Sequence, residues 1–284
     1  MKRRRRSGGH GVLVACLTAL GLVGAAAGVV VAVGSNATES TPAARADTKG
    51  ERRHHHRLPP LPEAPAPAFK VGKPIYLHDV RDLTRFAPVL EGVDVRRQPR
   101  AGAPSLAPLY STTGDGTTNI VLVIGHARKD GRGHIWVEVR VPSLPNGLTG
   151  WVPRSSLGGF TLVHTHLVVS LERLTLTLFR NGRAIFRAPV GVGQPQWPTP
   201  RGQFYVRDKL TEYASPFYGP LAFGTSARSA VLTDWPDGGF VGIHGTSEPD
   251  LIPGRISHGC IRLRNPDILR LARLMPVGTP ITVK

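Results

Sequence analysis

Leu174-Thr175-Leu176-Thr177-Leu178-Phe179-Arg180 alternates apolar and polar residues, Asn181-Gly182 turns the chain, and Arg183-Ala184-Ile185-Phe186-Arg187 returns. An Asn-Gly pair supplies the two positive-φ residues of a tight hairpin whose twist matches its strands. A segment with this period pairs into a sheet and does not bundle as a helix. Composition agrees: the 284 residues include 33 Gly and 26 Pro, and 40% are hydrophobic. That is enough apolar material for a core and too much turn chemistry for an all-helical bundle.

Short apolar runs recur on both sides of this hairpin. Within residues 71–160, Asp94-Val95-Arg96 opens a set of strands. Ile120–Ile124, the alternating Trp136–Val141 and Gly150-Trp151-Val152 follow, with Pro145-Asn146-Gly147 as a turn. Within residues 161–284, Gln203–Val206, Phe240–Ile243 and Pro280–Val283 read as strands, and Trp197–Gly202 as a rigid loop. One helix is expected, with Asn265 as N-cap, Pro266 at the first helical position, and Ile268, Leu269, Leu271, Ala272 and Met275 on its buried face.

The N-terminus reads differently. Five cations, Lys2 to Arg6, precede Gly11–Val33, a 23-residue run without charge. At about 1.5 Å per residue this run is long enough to cross a hydrocarbon core of roughly 30 Å. Basic residues ahead of it place the N-terminus in the cytoplasm and the rest of the chain outside. A cleaved signal peptide is the competing reading. Its apolar region is usually shorter, and the Ala44-Arg45-Ala46 pattern lies well past the run. A cleaved form would be secreted. Residues 34–70 read as a linker, stiffened near its end by Pro59, Pro60, Pro62, Pro65 and Pro67. The expected organisation is therefore a basic tail (1–10), a transmembrane anchor (11–33), a linker (34–70) and two strand-rich regions (71–160 and 161–284).

The formal net charge is +17, yet only residues 1–10 form a dense basic block. Aromatics are 6% of residues and no basic recognition element is present, so a nucleic-acid partner is not expected. A moderately basic surface suits an anionic polymer instead.

Two cysteines exclude a disulfide-stapled scaffold. Cys16 falls in the apolar run, which leaves Cys260 as the sole outer thiol, in Ile256-Ser257-His258-Gly259-Cys260-Ile261-Arg262-Leu263. A free thiol in an oxidising compartment is a hazard unless it has a use. His258 and the more distant His244 supply candidate bases, and the Gly259 and Cys260 amides could face a developing oxyanion. Proton transfer to His would give a thiolate–imidazolium pair able to attack an amide carbonyl. The competing readings are a small buried apolar Cys, or a zinc site built from Cys260, His258 and His244 with help from His164 or His166.

The stretch Ile243-His244-Gly245-Thr246, followed after ten intervening residues by Ser257-His258-Gly259-Cys260-Ile261-Arg262-Leu263, resembles the signature of L,D-transpeptidases with a YkuD-type domain. Thr199–Phe204, Tyr218-Gly219-Pro220, Leu221-Ala222-Phe223 and the tail from Asn265 to Ile281 fit the same family, so the resemblance covers residues 165–284. It implies a mainly β protein whose catalytic domain is a β-sandwich. The Trp and Gly-Trp-Val strands of residues 71–160 resemble a bacterial SH3-like β-barrel, which would bind wall peptide or serve as a spacer.

The resemblance further implies action on peptidoglycan stem peptides. The bond before the terminal D-Ala of a tetrapeptide would be exchanged for a 3→3 cross-link to a neighbouring stem, with no metal or organic cofactor. Cys260 would be the nucleophile and His244 the base and acid, oriented by the main chain at Gly245. His258 would sit beside the oxyanion, stabilised by the Gly259 and Cys260 amides, and Ser257 would brace the loop. Arg262 would be structural or meet a substrate carboxylate. Thr246, Tyr218, Trp235 and Trp197 are candidate substrate contacts or cleft walls. Carbapenem-type β-lactams are the expected inhibitors. Release of the same thioester to water, as a carboxypeptidase or endopeptidase, and a non-catalytic wall-binding role are the alternatives.

Overall fold

The computed structural model describes residues 83–211, 216–232 and 239–284. The expected basic tail, anchor and linker, and Trp235, lie outside them. No helix among the described residues is long and apolar enough to cross a membrane. Residues Pro62–Lys284 form one compact unit.

Two sheets make up this unit. The first comprises β1 (Thr84–Pro88), β2 (Val93–Arg96), β3 (Ser105–Leu109), β4 (Ile120–Lys129), β5 (Ile135–Arg140), β6 (Thr149–Pro153) and β7 (Thr161–Val163). Their order is β3-β2-β6-β5-β4-β1-β7. The set thus opens ten residues before Asp94, because Thr84–Pro88 pairs with both β4 and β7. It also extends to Val163, past the expected boundary at residue 160. Alternate side chains of β4 and β5, including Val121, Val123, Val137 and Val139, fill its core.

The second sheet comprises β8 (Thr165–Ser170), β9 (Thr175–Arg180), β10 (Arg183–Pro189), β11 (Gly191–Gly193), β12 (Gly202–Leu210), β13 (Ala222–Arg228), β14 (Phe240–His244), β15 (Gly254–Ser257), β16 (Ile261–Arg262) and β17 (Pro280–Val283). Helix α1 (Asn265–Leu274) lies between β16 and β17. The β9–β10 hairpin turns at Asn181 (φ 48°) and Gly182 (φ 73°), the geometry that the Asn-Gly pair favours.

Strand β12 belongs to both halves of the ladder. Gly202–Tyr205 pair with β17, whereas Val206–Leu210 pair with β13, with an irregularity between Val206 and Asp208. A strand that changes partners at a bulge lets a ladder fold over on itself, and the core draws on both halves: Leu167, Leu178 and Ile281 from one, Phe223, Ile243 and Leu263 from the other.

Two expectations about α1 are corrected. Arg264 is the N-cap residue and Asn265 is the first helical residue, making no cap hydrogen bond. Asn265 is drawn away because its Oδ1 accepts the backbone N–H of Thr246 at 2.9 Å. Leu269 is 41% exposed and points to solvent, while Ile268, Leu271 and Ala272 face the core.

The two sheets meet along a buried seam. Tyr205 is fully buried against Ile120 and Leu122, and its hydroxyl donates to the Ile120 carbonyl at 3.0 Å. Asn146 acts like a strand partner for β13, donating to the Arg228 carbonyl at 2.7 Å and accepting the Arg228 N–H at 2.9 Å. Arg140 donates to the Gln203 carbonyl at 2.6 Å.

Candidate active site

The site forms where β14 ends beside β16. These strands run parallel, with Ile243 opposite Ile261 and His244 opposite Arg262. Gly242 and His244 share one face of β14, because side chains alternate along a strand. The Gly242 N–H donates to the Cys260 sulfur at 3.3 Å. A methyl group at Gly242 would lie 3.7 Å from the His244 ring carbon Cδ2 and 3.9 Å from Cys260 Sγ. The missing side chain at Gly242 is thus the space shared by the thiol and the imidazole.

His244 is 2% exposed and held from two sides. Its Nδ1 donates to the Gly245 carbonyl at 2.6 Å, which leaves Nε2 as the acceptor nitrogen. Tyr218 packs on its ring, centroids 4.6 Å apart. Burial lowers the His244 pKa from its usual 6.5 to about 4; the Gly245 bond opposes this and the Arg262 charge adds to it. Cys260 is half-buried. Burial of its sulfur pushes the thiol pKa up, and the Gly242 N–H and Arg262 only partly offset that. Both shifts run against the charged forms that a thiolate–imidazolium pair requires. Removing both groups from water favours neutral thiol beside neutral imidazole.

The loop before Cys260 is tied down. Gly259 has φ +115°, a conformation that side chains resist. Ser257 Oγ donates to the Cys260 carbonyl at 2.6 Å and accepts the Gly259 N–H at 3.1 Å. The Gly259 amide is thus engaged by Ser257 and does not stand open as the expected oxyanion donor. Thr199 Oγ1 accepts the Gly193 N–H at 2.9 Å and donates to the Gly259 carbonyl at 2.8 Å, fastening this turn to β11. Sequence reasoning placed Thr199 in the rigid Trp197–Gly202 loop without a role.

His258 is exposed, and its ring packs on Trp197 with centroids 4.1 Å apart. Together with Cys260 it lines a recess of about 30 Å³. Cys260 also lines a cleft of about 100 Å³ that it shares with His244, Tyr218, Phe240 and Arg207. The thiol thus borders two hollows, one lined by His244 and the other by His258. Larger hollows of about 560 and 520 Å³ lie around Arg187 and Trp151, and neither is lined by a cysteine or a histidine.

Two expected substrate contacts are placed elsewhere. Thr246 is 1% exposed; its N–H goes to Asn265, and its hydroxyl accepts the Glu248 N–H at 3.0 Å. It braces the loop behind His244 and does not line the cleft. Arg262 pairs with Glu248 at 3.2 Å and acts on the site through its field. Asn265, read from sequence as a helix cap, has a different role. A Cβ at Gly219 or at Gly245 would come within 2.4 Å of its Oδ1, so both backbones close in on this carboxamide. Asn265 thereby fixes the Gly245 carbonyl that orients His244. Among the described residues no group of three or more His, Cys, Asp or Glu could hold a metal ion.

Comparison with known proteins gives one consistent family. The family described as YkuD, L,D-transpeptidase catalytic domain, matches residues 164–283. A putative L,D-transpeptidase YkuD of Bacillus subtilis is 33% identical over 144 residues, half of this chain and 80% of the relative. A probable L,D-transpeptidase YbiS of Escherichia coli is 30% identical over 42% of this chain and 44% of its own length. The solved catalytic domain of an E. faecium L,D-transpeptidase is 26% identical, covering 42% of this chain and 96% of that one, with a TM-score of 0.33.

Proposed function

Because this chain belongs to the YkuD family of L,D-transpeptidase catalytic domains, we propose that it is a peptidoglycan L,D-transpeptidase working through Cys260. The observation that carries the reading is the side-chain-free position at Gly242, where the His244 ring and the Cys260 sulfur meet.

In this mechanism the stem carbonyl enters the cleft beside Cys260. Nε2 of His244 takes the thiol proton as sulfur attacks, so the charged pair exists only along the reaction path. The C–N bond before the terminal D-Ala breaks, and the imidazolium returns its proton to the departing amine. A thioester on Cys260 remains. An amine of a neighbouring stem then attacks it, the C–S bond breaks, and a 3→3 cross-link forms. One amide replaces another through a thioester, so no external energy source is consumed.

This proposal includes an extracytoplasmic location behind the Gly11–Val33 anchor, supported by that uncharged run and its basic flank. It also includes an SH3-like role in wall binding for the first sheet, supported by its Gly150-Trp151-Val152 strand.

The test incubates the protein and its Cys260→Ala variant with disaccharide-tetrapeptide and reads protein and products by intact mass. An acyl adduct on the wild type alone, with D-Ala lost and cross-linked dimers formed, is the expected result. Tripeptide without dimers would make it a hydrolase. Folded protein with neither adduct nor turnover would overturn the catalytic reading.

A further inference from the structure

The hollow of about 560 Å³ around Arg187 shares no lining residue with either recess at Cys260. It lies on the face of the second sheet that is turned from the core. Along β9, Leu176 and Leu178 join the core, so Thr175, Thr177 and Phe179 point the other way and line the hollow. Thr177 stands opposite Arg187 of β10 and opposite Val168 of β8. Val168 stands opposite Thr282 of β17, and Thr282 opposite Gln203 of β12. The face thus crosses five strands. At about 4.8 Å between neighbours, the outer two are roughly 19 Å apart.

Cations ring this face. Gly202 of β12 pairs with Val283 of β17, and the next residues outward are Arg201 and Lys284. Both line the hollow. Like charges on neighbouring strands repel, a cost that an anion between them relieves. Arg173 adds a third charge from the turn between β8 and β9, and Arg187 a fourth, its Nε donating to Thr177 Oγ1 at 3.3 Å. All four are exposed, and Glu172 is the one acidic side chain in the lining. Among the described residues, no hydrogen bond or ion pair engages the side chains of Arg173, Arg201 or Lys284. The backbone beneath them is pinned. The Lys284 N–H donates to the Val169 carbonyl at 3.0 Å, and the Lys284 main-chain oxygen accepts the Leu171 N–H at 2.8 Å. Ser170 Oγ accepts the Arg173 N–H at 3.2 Å.

Four cations over this width are more than one small anion needs. They suit a linear chain with negative charges at intervals. Phe179 is the single aromatic ring in the lining, so the face offers no stacking platform for nucleic-acid bases. Its floor carries the hydroxyls of Ser170 and Thr175, which suit a polyol. Guanidinium and ammonium groups on different strands approach an oxyanion from different directions, which fits a tetrahedral phosphate better than a planar carboxylate.

We propose that this face of β8, β9, β10, β12 and β17 is a docking site for a linear polyol chain joined by phosphodiesters. The site is separate from the Cys260 chemistry. A bound chain holds the protein in place and leaves both recesses at the thiol open.

The test uses the full chain in neutral detergent and fluorescein-labelled poly(glycerol phosphate), with binding read by anisotropy near physiological ionic strength. Arg201→Gln with Lys284→Gln is expected to weaken binding about tenfold, and to leave circular dichroism and D-alanine release unchanged. Arg183→Gln with Arg273→Gln removes the same charge from exposed positions outside the hollow and should leave binding nearly unchanged. The basic tail Lys2–Arg6 also attracts polyanions, so a local readout accompanies the first. Saturating polymer is expected to slow acetylation of Lys284 severalfold, read by peptide mass, while Lys129 of the first sheet keeps its rate. Equal effects of the two variant pairs, or none from either, would mean attraction by net charge alone. An unprotected Lys284 would place the polymer elsewhere. Each overturns the proposal. So would equal displacement by poly-L-glutamate, a carboxylate chain, or tighter binding of oligothymidylate, a nucleic-acid chain.

Discussion

At His244 the balance between burial and hydrogen bonding sets how the site responds to pH. In the proposed mechanism the ring must be neutral to accept the thiol proton. With its pKa near 4, the acid limb of kcat/KM for D-alanine release is expected near pH 4 and not near 6.5. The same shift touches stability. Between pH 6.5 and about 4 the unfolded chain binds a proton at His244 that the folded chain refuses. Stability therefore falls as pH drops through that window, by about 3 kcal/mol in total. Urea titrations across the window check this, and His244→Asn should flatten the dependence. Asn265→Ala is expected to cost about 1–2 kcal/mol through the unpaired Thr246 N–H, and to lower kcat more than it raises KM because His244 loses its fixed orientation. The thiol and both imidazoles were legible in the sequence, since the His244 and Cys260 segments carry their chemistry locally. The roles of Thr199 and Asn265 were not. Each acts on a backbone group many residues away, and a hydroxyl or carboxamide read alone looks like turn or cap chemistry.

At the scale of elements, the pairing of β14 with β16 is what brings the reactive groups together. Gly242 tests it. An Ala there makes only ordinary contacts, 3.6 Å to the Phe223 carbonyl and 3.7 and 3.9 Å to the reactive side chains, so the strand should tolerate it. Yet its methyl would occupy the space the reaction needs. Gly242→Ala is expected to melt within a few degrees of wild type while losing on the order of 100-fold in kcat/KM. Gly224→Ala is the contrasting control: its Cβ would meet Asp208 Oδ1 at 2.2 Å, and the expected outcome is misfolding, read by circular dichroism. Period-2 patterns exposed most of these strands, and Asn181-Gly182 gave the hairpin outright. What periodicity misses is partner choice. Nothing in Gly202–Leu210 announces that its two halves pair with different strands, because that follows from the fold of the whole ladder.

Over the whole molecule, the seam joins what the sequence reads as two separable regions. Tyr205 is a buried aromatic with its hydroxyl satisfied across the seam, so cutting it should loosen both sides. Pro62–Lys284 is expected to unfold in one calorimetric transition. Tyr205→Phe should lower its Tm by about 2–4 °C through one lost hydrogen bond. Tyr205→Ala should split the transition in two. Such contacts span the chain, from Ile120 to Tyr205 and from Asn146 to Arg228, and no local pattern signals them. The seam also bears on drug discovery. An inhibitor screen run on a fragment trimmed to residues 164–283 would keep the Cys260 thiol and lose the part of the cleft wall that Gly114 and Asp115, in the loop between β3 and β4, supply. Compounds would be ranked against a blunter target than the one in the cell.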